Sequence, residues 1–237
     1  MNEYAIIERQ RLSNLVGWAM LVTIAIGMIS AFTVSSGIDI NMSADIAKTA
    51  ETMLESEEKL RGTAYISLLV FALGVFVNVG LFVILKQTNV VLALWSMLVA
   101  ISAGLLSVLG AVYAMNAALI GSNDAYQLLG NTDQRLLLTA VQVTADYTSF
   151  HLSLVLSSAA NVGIYWLFVR SALIPKFISG WGVFASLFVL ITIVARDFIP
   201  MFTHDAITIG FMLSNLVASL MLGFYLGIKG VALKPGE

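Results

Sequence analysis

Three ionisable residues inside apolar segments, Asp146, His151 and Arg196, are the side chains of this sequence best suited to binding chemistry. Such groups are costly in hydrocarbon and by default mark a functional site or a buried pair. Counting along helices with a rise of about 1.5 Å per residue places Asp146 and Arg196 at a similar depth, which predicts an ion pair. His151 lies about 140° around the helix from Asp146, so no metal site on that helix alone is expected.

Three asparagines, Asn78, Asn161 and Asn215, fall near the middle of three different apolar segments. If their side-chain amides lie close together, they can have one of two roles. They can fix helix packing, since an interhelical amide bond is worth about 0.6–2 kcal/mol, or they can form a polar binding site. Packing is the preferred interpretation, and the binding site stays open.

Small residues form a ridge on the segment that carries Asp146, and the preceding apolar segment has a matching stripe. The ridge consists of Ala145, Ser149, Ser153, Ser157 and Asn161. The stripe consists of Ala103, Ser107, Ala111 and Ala114. Small residues at helical spacing let two helices approach closely, so this pattern favours packing. The alternative is a hydrophilic path along the ridge.

Motifs for catalysis or cofactor binding are missing from the sequence. There is no cysteine and no G-x-S-x-G, so thiolate chemistry and a nucleophile elbow are excluded. His204 lies in a loop, where Thr203 or Asp205 is expected to cap the next helix. Zinc held by His151, His204, Asp146 and Asp205 lacks the close spacing of a zinc motif. We therefore expect no cofactor and no metal site, and an enzyme is less favoured than a non-enzymatic protein.

The elements that must position these residues are membrane helices. The chain of 237 residues is 59% hydrophobic and 11% charged, whereas about 25% charged is usual in soluble domains. A net charge of −2 without a basic run excludes nucleic acid as a partner. About 20 apolar residues span a bilayer, and the breaks predict six spans in a single membrane domain, residues 1–237. The predicted spans are 13–36, 63–86, 88–121, 136–169, 174–197 and 206–228.

The first of these segments is too long for the apolar part of a signal peptide, so we expect a retained helix. After it, residues 41–61 show helical apolar spacing with an acidic polar face, which predicts an amphipathic helix packed on the protein rather than on anionic lipid. The third and fourth spans exceed a bilayer's thickness. They predict a projecting helical hairpin whose second helix starts at Asn131 with Gln134 three positions later.

The orientation follows from the distribution of basic residues. With the amino terminus inside, seven Lys and Arg lie on the cytoplasmic side, Lys234 among them, and five outside. Because cytoplasmic loops carry the excess of positive charge, both termini are expected to lie in the cytoplasm. Four tryptophans at the same helix ends fit an interfacial belt. They are Trp18, Trp95, Trp166 and Trp181.

The joining sequence YWLFVRSALIPKFISGWGVFASL carries a family resemblance, with Arg170, Ser171, Pro175 and Lys176 followed by Gly180 and Gly182. Together with six spans and an acidic amphipathic segment, it resembles the bacterial membrane family known as domain of unknown function 4386, over residues 10–225. The resemblance implies a multi-pass protein of a bacterial plasma membrane without an assigned activity.

Three functions remain in order of preference. The first is a non-enzymatic membrane protein that binds a small apolar or amphiphilic ligand, or a membrane protein partner, at an outer-facing vestibule around Asp146, His151 and Arg196. The second is a small transporter or an ion-conducting homo-oligomer that uses the asparagine layer. The third is an intramembrane enzyme with His151 as its base. In each case the lipid bilayer is a partner.

Overall fold

Eight α-helices form in the described part of the chain; the computed structural model describes residues 3–39 and 45–232. They are α1 (Glu3–Phe32), α2 (Ile46–Leu54), α3 (Glu57–Leu85), α4 (Val90–Ser122), α5 (Asp124–Leu129), α6 (Thr132–Ser171), α7 (Lys176–Arg196) and α8 (Asp205–Lys229). A 3-10 turn, Pro200–Thr203, precedes α8. All except α2 and α5 are long and apolar enough to span a membrane, which confirms the predicted all-α fold with six spans.

The helix ends differ most from the prediction at the first span, which begins at Glu3 instead of residue 13 and ends at Phe32 instead of 36. The prediction gave the bounds of the apolar segment. A helix can continue beyond that segment into the membrane–water interface as long as its backbone hydrogen bonds form. Residues 33–38 instead form turns, with Gly37 at φ 83°. Lys234 and residues 41–44 lie outside the described residues.

The amphipathic helix is shorter than predicted. It covers Ile46–Leu54, with the Asp45 carboxylate accepting a bond from the Lys48 amide at 2.9 Å. The prediction of one helix over 41–61 is wrong in its second half, because Glu55 and Ser56 break the helix and α3 starts at Glu57. The prediction had followed apolar spacing across this break.

The connection between α4 and α6 contains the predicted helix start. The Asn131 side chain accepts a bond from the Gln134 amide at 3.0 Å, and the Gln134 side chain accepts one from the Asn131 amide at 3.0 Å. This reciprocal capping box satisfies two amides that the helix itself leaves unpaired. The short α5, capped by Asn123, was not predicted. The lengths of α4 and α6, 33 and 40 residues, exceed a bilayer span as expected.

The chain packs into two compact units, and α1, α3, α4 and α6 each contribute to both. Unit 1 contains residues 1–23, 73–103 and 154–237, and unit 2 contains residues 24–72 and 104–153. Charge is divided unevenly between them. Unit 1 has eight Lys and Arg against five Asp and Glu, a net charge of +3, whereas unit 2 has four against nine, a net charge of −5.

Unit 1 is built around large apolar side chains and close contacts at glycines. Leu167 and Phe168 of α6 are fully buried in its core with Ile84 of α3 and Leu226 of α8. Gly17 of α1 lies directly against the backbone of α8. In a membrane the lipid tails are as apolar as the side chains, so the hydrophobic effect does not drive helices together. Close van der Waals packing of this kind is therefore a main source of helix association.

Unit 2 has a core of smaller residues. Ala50 and Met53 of α2 are buried together with Ala117 of α4 and Val143 of α6. The apolar face of α2 therefore packs on the protein, as its acidic polar face predicted. Two buried serines and a threonine add a hydroxyl chain, with Ser35 Oγ 3.2 Å from Ser30 Oγ and 3.1 Å from Thr63 Oγ1.

Large apolar side chains are exposed along the spans. Tyr65 of α3, Phe177 of α7 and Ile228 of α8 are 65–70% exposed. Water-soluble monomers do not present such surfaces on every helix. The solvent of these faces is therefore the lipid bilayer.

Candidate functional site

An open groove between α4 and α6 in unit 2 is a candidate site in the described residues. Its volume is about 690 Å³. One wall comes from α4 and the other from α6. The lining residues are Leu106, Leu109 and Tyr113 of α4, and Leu137, Ala140, Val141, Thr144, Ala145, Thr148, Ser149 and Leu152 of α6. Both walls are mainly apolar, so the groove suits a hydrocarbon chain.

The three hydroxyl groups on the α6 wall of the groove are engaged within their own helix. Thr144 donates to the Ala140 carbonyl at 3.0 Å, Thr148 to the Thr144 carbonyl at 2.9 Å and Ser149 to the Ala145 carbonyl at 2.6 Å. Serine and threonine side chains commonly donate to a carbonyl one turn earlier in this way. The α6 wall consequently offers a ligand no uncommitted hydroxyl proton, and the phenol of Tyr113 on α4 is the fourth hydroxyl of the lining.

Asp146 follows the lining residue Ala145 in the sequence of α6 but is not itself a lining residue. Its carboxylate packs directly on Gly110 of α4, where a side-chain Cβ would overlap it. The carboxylate of Asp39 is close enough to repel it electrostatically. Because repulsion between two half-buried carboxylates is unfavourable, a positive charge placed here would be stabilised.

The other two ionisable candidates have different surroundings. His151 is half-buried in unit 2, and its ring lies 5.9 Å from that of Tyr147, one turn earlier on α6. Arg196 is half-buried at the end of α7, in unit 1. Asp146 and Arg196 thus belong to different units, and the ion pair between them stays a prediction.

The asparagine layer lies within unit 1. Asn78, Asn161 and Asn215 are all half-buried. The Asn78 amide donates to the Gly74 carbonyl of its own helix at 2.8 Å. In the described part of the chain no hydrogen bond joins the three side chains, so a shared polar site remains a prediction.

The ridge of small residues on α6 is buried in part. Ser149 and Ser153 are buried, whereas Ala145, Ser157 and Asn161 are half-buried. The choice between helix packing and a hydrophilic path along the ridge stays a prediction. On the matching stripe of α4, Ser107 is exposed while Ala103, Ala111 and Ala114 are buried.

The last helix is capped by a residue that sequence analysis did not choose. His204 Nδ1 accepts a hydrogen bond from the Ala206 amide at 3.2 Å. The prediction of Thr203 or Asp205 as the cap is wrong, because Thr203 belongs to the preceding 3-10 turn and donates to the Pro200 carbonyl, while Asp205 is the first helical residue. This histidine therefore has a structural role.

Sequence reasoning missed the groove itself. Leu137, Val141, Thr144, Thr148 and Leu152 recur at steps of three and four, which puts them on one face of α6. The sequence prediction instead used the ridge of small residues that contains Ala145 and Ser149, which lie next to them on α6. Within the described residues, no group of three or more His, Asp or Glu side chains could hold a metal ion.

Comparison with known proteins identifies a family but no annotated relative. The family model called Domain of unknown function (DUF4386) matches residues 15–230, nearly the whole chain. No curated protein and no solved structure matches the chain significantly. With its six membrane-spanning helices, the chain is thus a multi-pass membrane protein that belongs to the DUF4386 family.

Proposed function

We propose that this protein is a non-enzymatic membrane protein that binds a small amphiphile in the groove between α4 and α6. The observation that carries the proposal is the groove's lining, which is mainly apolar on both walls and has the hydroxyl protons of its α6 wall committed to the helix. Its volume of about 690 Å³ lies in the range of small-molecule sites, roughly 300–1,000 Å³. An alkyl chain of an amphiphile fits this description.

A cationic head group fits the edge of the groove best. Asp146 lies beside the lining residues, and Asp39 adds a second carboxylate nearby. Unit 2 as a whole has a net charge of −5, which attracts cations and repels anions over several ångströms. An amphiphile with an amine head group would therefore bind better than a fatty acid of the same chain length.

The transport alternative has less support. It requires the amides of Asn78, Asn161 and Asn215 to face a common path, and the Asn78 donor is bonded within its own helix. A catalytic alternative would need His151 to act as a base, and no catalytic motif in the sequence supports that role. Binding needs neither arrangement.

The proposed orientation places both termini in the cytoplasm of a bacterial cell, with the groove toward the outer side. The chain has no cysteine, so a single introduced cysteine reports its own side. Gln87, between α3 and α4, and Asn123, after α4, are both exposed. We expect a membrane-impermeant maleimide to label Asn123→Cys in intact cells and Gln87→Cys only after lysis. The reverse labelling pattern would invert the topology.

Groove occupancy is tested by photolabelling of the reconstituted protein with a diazirine-bearing hexadecylamine. We expect label on the peptides that contain residues 106–113 and 137–152. Thr144 is exposed and lines the groove, so Thr144→Trp fills the space and should reduce this labelling about tenfold or more. The matching diazirine-bearing hexadecanoic acid should label the wild type several-fold less than the amine.

Leu138→Trp is the control for this experiment. Leu138 is also exposed on α6 but does not line the groove, so its labelling should equal that of the wild type. Equal labelling of Thr144→Trp and Leu138→Trp would contradict the proposed site. Equal labelling by amine and acid would contradict the proposed head group while leaving the groove in place.

A further inference from the structure

The ends of several helices in unit 1 meet at one face, as their contacts show. The Arg9 guanidinium of α1 donates to the Ile84 carbonyl at the end of α3 at 2.7 Å, and the Gln10 amide donates to the Lys229 carbonyl at the end of α8. After α8, the Ala232 amide donates to the Leu173 carbonyl in the turn between α6 and α7 at 2.8 Å. We call this surface the basic face.

The basic face carries six cationic side chains. They are Arg9, Arg11, Lys86, Arg170, Lys176 and Lys229. All except Arg9, which is half-buried, are exposed. Glu8 is the one acidic side chain among them in the part of the chain with described side chains. The carboxyl ends of α3 and α8 contribute only about half a negative charge each, so the face remains strongly positive.

Exposed tryptophans mark where this face meets the hydrocarbon. Trp18, Trp95 and Trp166 are 45–51% exposed. Trp18 lies nine residues from Arg9 along α1, and Trp166 lies four residues from Arg170 along α6, which is about 6–14 Å. Trp95 lies five residues after the start of α4 at Val90, which is about 8 Å, and Lys86 is in the turn before that helix. Tryptophan prefers the level of the lipid head groups, so the cations lie at the height of the lipid phosphates.

We propose that the basic face binds the head groups of anionic phospholipids, so that the protein retains such lipids selectively. The argument rests on charge complementarity, since phosphate esters with a net negative charge match six clustered cations, whereas zwitterionic head groups offer no net attraction. This site is separate from the groove, and it lies entirely in unit 1. The lipid-binding proposal is therefore independent of the proposed function.

The test is native mass spectrometry of the detergent-purified full chain titrated with phosphatidylglycerol or with phosphatidylcholine of identical chains. We expect the wild type to bind phosphatidylglycerol more tightly, with the preference decreasing as salt rises. The double variant Lys86→Gln/Lys229→Gln should weaken phosphatidylglycerol binding by about fivefold for each lysine, or about thirtyfold together, and leave phosphatidylcholine binding unchanged.

The control is Lys48→Gln/Lys59→Gln, which removes the same charge from exposed positions of unit 2. It should bind phosphatidylglycerol as the wild type does. Equal affinity of the wild type for both lipids would overturn the proposal. So would a loss in the control pair that matches the loss in the test pair, because the effect would then reflect net charge rather than this face.

Discussion

The variant Gly17→Ala is expected to lose at least about 3 kcal/mol of stability, the upper part of the range for overpacking a core. A Cβ at Gly17 would overlap the backbone nitrogen of Gly227 and lie 2.7 Å from the Gly223 carbonyl oxygen. Backbone atoms cannot turn aside as a flexible side chain does, so α1 and α8 must separate. The contacts along this interface, including the Gln10 bond to Lys229, would weaken with them.

Thermal unfolding in mild detergent, followed by size-exclusion chromatography, measures this effect. For a chain of this length 3 kcal/mol corresponds to a fall in Tm of about 6–12 °C. Gly27→Ala is the matched control, because Gly27 is on the same helix and has no heavy atom near the position of a Cβ. Alanine is the better helix former by about 1 kcal/mol, so the control should be as stable as the wild type or more so. Equal losses in the two variants would contradict the α1–α8 contact.

The second large effect is expected from Gly182→Ala, at about 2–3 kcal/mol. A Cβ at Gly182 of α7 would overlap the ring of Tyr165 on α6. That ring is 3% exposed, and its hydroxyl lies close to the side chain of Ser219 on α8. The ring therefore cannot move without breaking a contact that joins α6 to α8.

The same thermal measurement tests this interface, with Gly180→Ala as the control. Gly180 is two residues away on α7, exposed, and has open space where a Cβ would be. We expect Gly180→Ala to leave Tm unchanged or slightly raised and Gly182→Ala to lower it by about 4–12 °C. If Gly182→Ala were as stable as Gly180→Ala, Tyr165 would not be fixed between the three helices.

The fold class could be predicted because the bilayer restricts the choice of structure. Every backbone group must be paired within the hydrocarbon, so 20-residue apolar segments without strand-like alternation have to be helices. Helix ends were less predictable, since hydropathy reports where the hydrocarbon ends and not where hydrogen bonding ends. The ten additional residues at the start of α1 follow from this difference, whereas the break at Glu55 was missed because the apolar spacing continues across it.

Helix packing was predictable only in part. The small-residue ridge on α6 was recognised from its spacing, and two of its three serines, Ser149 and Ser153, are buried. Gly223 and Gly227, four residues apart on α8, have the spacing of a close helix contact, and this signal was overlooked. Their partner Gly17 is a single glycine in an apolar stretch. Nothing in the local sequence distinguishes it from Gly27, because the difference arises from the rotation of α1 against α8.

The candidate site was predicted less well than the fold. Asp146 was identified because a carboxylate in an apolar helix is costly, and its part in binding stays a prediction. Its neighbours Asp39 and Gly110 come from distant parts of the chain, and sequence alone cannot bring them together. The prediction that Asn78, Asn161 and Asn215 form one layer used only the depth of each residue in the membrane. Depth does not determine the direction in which each side-chain amide points.

Native mass spectrometry of the protein extracted gently from its own membrane tests the central claim most directly. We predict one amphiphile of the amine type retained per chain in the wild type and in Leu138→Trp, and lost in Thr144→Trp. A wild-type protein that carries no such molecule, or a Thr144→Trp variant that retains it equally, would contradict binding in the α4/α6 groove.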